Sequence, residues 1–476
     1  MSSQHPSPTP KTAQITISNK SPSPDPDPDP ETIPSAEPQV QSPSPSPTAS
    51  TAASLQAQPP TPPREYPPES YLIAWIVTNP AQLTIARSML TEIHTDLTIP
   101  FSSSSTDTPD TKIHYTLGSI HTKNLILVNT TIPSSPFPLD TPKSILLDMV
   151  QRFPHLRFGI MIGTAAGLPN YQGTGREIHD VRLGDVVVSY GVYSQSGRPV
   201  FPDVVFYDPD TLDIRANGGF FPGAPAALRM ADCRAAVRQG VVGRVIEGVL
   251  RDVGASSNSA VFGAGDPETG WFERPDGSTD RLFRSTCVHG PVPWRHCLVD
   301  STTTICDPGQ EVDRSVAGRG DDDDSGGGRL PRVHAGPIAT SVRVTNRAPV
   351  RDRFRAMYPH VLCLDREFMG VPRWFPCMAV RGVDGYADGH PYLGWKGYAK
   401  GVAAAYARVL VEAMSMDEVR NEAPAIEVLY MLQRLRGVVQ GAGGRGEGGG
   451  GRCSYVRYIG LARRVGRAWG VSILYR

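Results

Sequence analysis

Apolar residues fall along this chain in two patterns, short solid blocks and longer runs at helical spacing. Leu72-Ile73-Ala74-Trp75-Ile76-Val77 is a block of buried-strand length, broken at Asn79-Pro80. Leu83, Ala86, Met89 and Leu90 then recur at helical spacing, which predicts a helix over 81–94. His114–Gly118 and Asn124–Asn129 read as paired strands around a turn at His121-Thr122-Lys123. Helices are predicted over Pro142–Phe153, within Pro225–Gly254 and over Gly394–Ala413. A further helix runs from Met414 towards Arg436, interrupted by Pro424, and Arg351-Asp352-Arg353 opens or caps another. Strands are predicted at Arg157–Ile162, within Asp180–Ser189 after a turn at Leu183-Gly184-Asp185, and at Val204–Asp208, Gly336–Val344, Val361–Leu364 and Cys377–Val380. Strands alternating with helices predict an α/β fold, a three-layer sandwich with a central mixed sheet flanked by helices.

Composition trims the part of the chain that can fold this way. Gly and Pro supply 47 and 46 of 476 residues, concentrated in particular segments. Residues 1–68 form a Pro/Ser-rich tail with almost no apolar content, too little to offset its ordering entropy. The folded domain is expected over 70–415. Residues 255–333 are an irregular insertion carrying an acidic, Gly-rich run at Gly318–Gly327, and 437–476 are a Gly-rich linker and basic tail. Lys+Arg and Asp+Glu balance at 47 each, so no global field argues for nucleic acid. No stretch reaches transmembrane length and the first residues lack an apolar leader, so an intracellular, cytoplasmic protein is expected.

Three segments carry candidate chemistry. Gly163-Thr164-Ala165-Ala166-Gly167 follows a strand, and small residues there let backbone N–H groups approach an anion. Asp365-Arg366-Glu367 follows another strand. Asp384, Gly385, Tyr386 and Asp388 follow a third, ahead of an Ala-rich helix. The carboxyl edge of an open α/β sheet is where ligands bind. These Asp residues also suit helix capping and turn shaping. Cys287, His289, His296, Cys297 and Cys306 match no compact zinc spacing, and no metal or cofactor is expected.

Four segments in order resemble the nucleoside phosphorylase superfamily, which includes purine and uridine phosphorylases and methylthioadenosine nucleosidases. The likeness is to its fungal branch, often found at the front of larger multidomain proteins. They are Tyr71–Ala86, Phe158–Pro169, Asp180–Ser189 and Phe375–Ala407. The resemblance implies cleavage of an N-glycosidic bond, with phosphate as a possible co-substrate or water as acceptor, and a possible homo-oligomer. It implies ribose binding at Glu367, with Arg366 where the family has a Met beside the sugar. It implies an acceptor site at Gly163, Thr164 and Gly167, with Thr340 nearby. Gln82 stands where the family's nucleosidases have a Glu that positions water, and Gln holds a water without taking its proton. The acid that protonates the base falls, residue for residue, on Gly385; Asp384 is one place early, and Asp388 is the second candidate.

Two readings follow. The first is cleavage of a nucleoside, of purine type, with degenerate catalytic positions. The second is a catalytically weakened domain that binds a nucleoside or nucleotide as a sensor or interaction module.

Overall fold

The computed structural model describes residues 66–100, 112–131, 141–170, 180–194, 196, 199–214, 223–236, 239–256, 273–287, 308–314, 329–390 and 392–443. All belong to one unit, Pro62–Arg476. The Pro/Ser-rich tail, the acidic run and the basic tail expected from the sequence lie outside the described residues, apart from 66–68 and 437–443.

In chain order the elements are β1 (Ile73–Val77), α1 (Pro80–Ser88), β2 (Glu92–Pro100), β3 (Lys112–Ile120), β4 (Lys123–Asn129), α2 (Thr141–Arg152), β5 (Phe158–Gly167) and β6 (Val186–Ser189). Then come β7 (Val192–Tyr193), β8 (Pro199–Phe201), β9 (Val204–Phe206), α3 (Ala226–Ala236) and α4 (Gln239–Ser256). The last third holds β10 (Val333–Gly336), β11 (Ile338–Thr340), α5 (Ala348–Met357), β12 (Cys363–Asp365), β13 (Cys377–Gly385), α6 (Leu393–Ala413), α7 (Met416–Asn421) and α8 (Ala425–Gly443).

Among the described residues eleven strands form one sheet, whose main path runs β10-β6-β13-β5-β1-β4-β3-β2. It is mixed. β1 lies parallel to β4 and β5, and β5 parallel to β13, whereas β13 meets β6 antiparallel. The far half of β5 turns to pair antiparallel with β12, which carries β11 and β9 beyond it. Helix α6 lies across β13 and β5 and packs against α1, α3 and α4, while α2 and α8 pack together. This is the flanked mixed sheet that the alternation of patterns predicts.

The strands form where solid apolar blocks are buried on both faces, as in Ile73–Val77, with Trp75 wholly enclosed. Helix α6 reaches the sheet so closely that a Cβ on Gly382 would land on the Ala399 carbonyl. Only glycine permits that approach, and it seats the helix beside the end of β13.

Several expectations change. The stretches 163–167 and 384–385, expected to follow strands, are the ends of β5 and β13 themselves, and the strand expected over 336–344 stops at Thr340 as β11. The helix over 81–94 stops at Ser88, and residues 92–100 are an edge strand. Their side chains are mostly exposed, so no apolar block marked them; β-branched Ile93, Thr95, Thr98 and Ile99 and the pairing with β3 decide the outcome. The insertion is sparse in regular structure, yet its described parts are packed. Leu282, Phe283 and Val312 are buried, and Phe283 bridges to Glu311. Phe283 stacks on His390 at 4.0 Å, and Trp395 donates to Thr279 at 2.9 Å. This segment is a strap across the loop between β13 and α6.

Candidate active site

The parallel strands β1, β5 and β13 end at one edge of the sheet, and the candidate residues collect there. In the β5–β13 ladder Gly163 faces Arg381, Thr164 faces Gly382 and Ala165 faces Val383, but Ala166 faces Gly385. Asp384 is therefore the extra residue of a β-bulge. A bulge re-aims the side chain it carries, and it removes the parity problem of an acid one place early. The Asp384 carboxyl accepts the Thr164 hydroxyl and feels the positive charges of Lys396 and Lys400. Burial outweighs both, and its pKa is raised.

Glu367 follows β12 in a short 3-10 turn, Glu367–Gly370. Its carboxylate occupies the space above Gly163, where a Cβ would land on Oε2. The Gly163 hydrogen is thus what lets the carboxylate sit against β5. Thr78, at the end of β1, donates to the Glu367 carboxyl. Burial pushes Glu367 up to about 7; Arg381 opposes this, while Asp365 and Asp384 add to it. Two acids from different elements thus lie close enough for the charge of Asp384 to act on Glu367.

Arg381 organises the floor. It is fully buried, donates from Nε to Asp365 at 2.5 Å and from Nη1 to the Met161 carbonyl at 2.8 Å, and lies 4.0 Å from Glu367 Oε2. Beside it Thr340 faces Asp365 in the β11–β12 ladder, and the Ser341 N–H donates to the Asp365 carbonyl. Four atoms of this group are buried without a hydrogen-bond partner among the described residues: Glu367 Oε2, Arg381 Nη2, Thr340 Oγ1 and Ser341 Oγ. A buried polar atom left unpaired costs roughly 1–3 kcal/mol. One such atom is unremarkable in a native fold. Several close to one another, of both donor and acceptor character, make this group a candidate polar socket.

The remaining predicted residues divide. Gly167 closes the bend of β5, with a Cβ there meeting Val383 at 2.9 Å. Gln82 on α1 is buried, and its amide nitrogen donates to the Lys400 carbonyl at 3.1 Å while Oε1 has no partner among the described residues. Arg366 is not part of the socket, because its side chain is exposed. Asp388 does not present a free acid either. It lies beyond a left-handed turn at Ala387 (φ 53°), accepts the His390 N–H at 3.1 Å and the Tyr392 hydroxyl at 3.0 Å, and sits 3.5 Å from Arg351. Asp388 is a turn-shaping, charge-paired carboxylate. Sequence reasoning passed over Arg381, Ser341 and Thr78 as site residues and gave Asp365 no role of its own. The bulge had no signal in the sequence, because the apolar block ends at Val380 and Gly385 falls in the polar stretch after it.

No family model matches the chain. A curated relative is a nucleotide-binding leucine-rich repeat (NLR)-like protein of Hyaloscypha variabilis, 27% identical over 344 residues. The match takes in 72% of this chain and 29% of that protein, so the chain spans under a third of its relative. Solved structures with a similar outline include futalosine hydrolase of Helicobacter pylori, 11% identical with a TM-score of 0.38, covering 72% of this chain and 98% of that one. A 5′-methylthioadenosine/S-adenosylhomocysteine nucleosidase from Colwellia psychrerythraea, in complex with adenine, is also 11% identical with a TM-score of 0.38, covering 72% and 96%. The corresponding nucleosidase from Neisseria meningitidis, in complex with methylthio-immucillin-A, is 14% identical with a TM-score of 0.36, covering 72% and 97%. Among the described residues no helix is long and apolar enough to cross a membrane.

Proposed function

We propose that this domain cleaves the N-glycosidic bond of a nucleoside of purine type. The observation that carries the reading is the bulge at Asp384, whose charge reaches Glu367, with both carboxyls raised in pKa. A departing base needs a proton donor, and burial shifts the Asp384 carboxyl towards its protonated form. Asp384 would give its proton to the base nitrogen as the C1′–N bond breaks and its electron pair leaves with the base. Glu367, once ionised, would accept hydrogen bonds from the ribose hydroxyls, with Thr340 and Ser341 completing the socket. Gly163, Thr164 and Gly167 would shape the acceptor side, and the free Gln82 Oε1 would hold the acceptor oxygen that bonds to C1′. Gln82 takes no proton, so a phosphate dianion needs no further base, whereas water must release its proton to solvent.

A second reading keeps the site and drops the turnover: a recognition module that binds a nucleoside or nucleotide. Gln82 favours it, since its amide is tied to the Lys400 carbonyl instead of offering a carboxylate. The NLR-like description of the relative fits the same reading.

The test is base release by the full chain from a panel of purine and pyrimidine nucleosides, with and without phosphate. Release from purine nucleosides supports cleavage, and its phosphate dependence names the acceptor. Saturable binding without release moves the assignment to the recognition module.

A further inference from the structure

The ladder between β5 and β13 holds one residue beyond the bulge, Gly385, and then ends. A bulge leaves its extra residue unpaired. Where Asp384 sits therefore depends on what holds the chain on either side of it. On the near side the 183–185 turn holds Val383. The Gly184 N–H donates to the Val383 carbonyl and the Val383 N–H donates to the Asp185 carbonyl, both at 2.9 Å. On the far side Gly385 is followed by Tyr386, which is fully buried. Its hydroxyl accepts the Leu183 N–H at 3.1 Å and Arg314 Nη1 at 3.1 Å, and donates to Asp280. Leu183 belongs to the same turn that holds Val383. Asp280 and Arg314 belong to the strap, where they also pair with each other at 3.0 Å.

We propose that Tyr386 is a positioning residue for the reaction: its hydroxyl ties the far end of the bulge to the turn and the strap, and so fixes where the Asp384 carboxyl sits. The inference rests on the cleavage reading and extends it to the insertion, because the strap supplies Asp280 and Arg314 to the hydroxyl. With its hydrogen bonds directed to protein groups, the hydroxyl acts through Asp384. Removing it frees residues 384–386 to shift, and a misplacement on the order of 1 Å at a reacting group costs roughly a hundredfold in rate. The ring has support of its own, edge-on to Tyr392 with centroids 5.5 Å apart. A phenylalanine there keeps that packing and loses the clamp alone.

The full chain is compared with its Tyr386→Phe, Asp384→Asn and doubly substituted variants. The probe is whichever purine nucleoside wild type cleaves fastest, from a panel that includes inosine and adenosine. Base release is followed by chromatography, with melting curves to confirm folding. Tyr386→Phe is expected to lower kcat by roughly ten- to a hundredfold with KM within about twofold of wild type. Added to Asp384→Asn it should cost little more, because a group that acts only through the acid then has nothing left to position. Should Tyr386→Phe fail to fold, Asp280→Ala keeps the tyrosine, removes its acceptor and is expected to lower kcat in the same way. An unchanged kcat, a loss carried by KM, or losses that multiply in the double variant overturn the clamp and leave cleavage standing. If wild type releases base from no member of the panel, the cleavage reading itself fails and the inference falls with it.

Discussion

Two clusters of buried carboxylates and arginines lie close together in the chain, and they behave differently. In the first, Arg314 donates to Asp280 at 3.0 Å and to the Tyr386 hydroxyl at 3.1 Å, while Tyr386 donates to Asp280 and accepts the Leu183 N–H. Arg351 donates to the Phe283 carbonyl and flanks Asp388, which also accepts Tyr392. These groups answer one another and pin the strap to the loop between β13 and α6. In the second, Arg381, Asp365, Glu367, Thr340 and Ser341 leave four buried polar atoms without a partner among the described residues, and Glu367 is pushed up to about 7. Similar residue types thus build a fastening in one place and an unfilled socket in the other. Partner saturation separates them, and residue identity does not.

The largest effect should come from the acid. Asp384→Asn is expected to lower base release by roughly 10²- to 10⁴-fold while nucleoside binding survives. Gly385 has room for a side chain, because its Cβ would meet nothing closer than Tyr392 at 3.7 Å. Gly385→Asp added to Asp384→Asn should therefore recover part of the rate in the same assay. Failure of Asp384→Asn to slow release would remove the acid from the account.

The fastening should respond in stability. Arg314→Met leaves Asp280 and Asp180 without their buried partner and should cost about 3–5 kcal/mol in chemical denaturation. A variant as stable as wild type would dissolve the contrast between the clusters.

The smallest effect is on pH dependence. Glu367 holds its proton more tightly when folded than when unfolded, with its pKa raised from 4.5 to about 7. The folded state then binds more protons across that window, so this group's contribution to stability falls as pH rises from 4.5 to about 7 and is flat above it. Ribose binding has the opposite trend, because it needs the ionised carboxylate. Affinity should rise through about pH 7, and Glu367→Gln should flatten both curves. Calorimetry and melting curves across that window check the pair of signs.

Much of this was legible in the sequence. The solid apolar blocks of β1, β5 and β13 marked the strands, and Gly163 and Glu367 stood where strand ends put ligand-binding groups. The socket was less legible. A bulge is a relation between two strands, so no one-dimensional count could place one at Asp384; it shows only where β5 pairs Ala166 with Gly385. Asp388 looked like a second acid because Asp in a loop after a strand has the same composition whether it faces a ligand or an arginine. Its fate depends on Arg351, in a helix 37 positions earlier. Arg366 was placed by position alone, and a 3-10 turn sends alternate residues to different surroundings, exposing it while Glu367 turns inward.

Gly163→Ala tests the central claim most directly, because it alters no charge and no hydrogen-bonding group. Its Cβ would take the space of the Glu367 carboxylate. Titration with inosine, at a pH above the Glu367 transition, should show saturable binding to wild type. Binding should be weakened at least tenfold in Gly163→Ala, on the scale of a lost charge-assisted hydrogen bond of about 1.5–3 kcal/mol, in a variant that still melts cooperatively. Equal affinity in the two proteins would contradict the account, since the ligand would then not be held by Glu367 in its seat above Gly163.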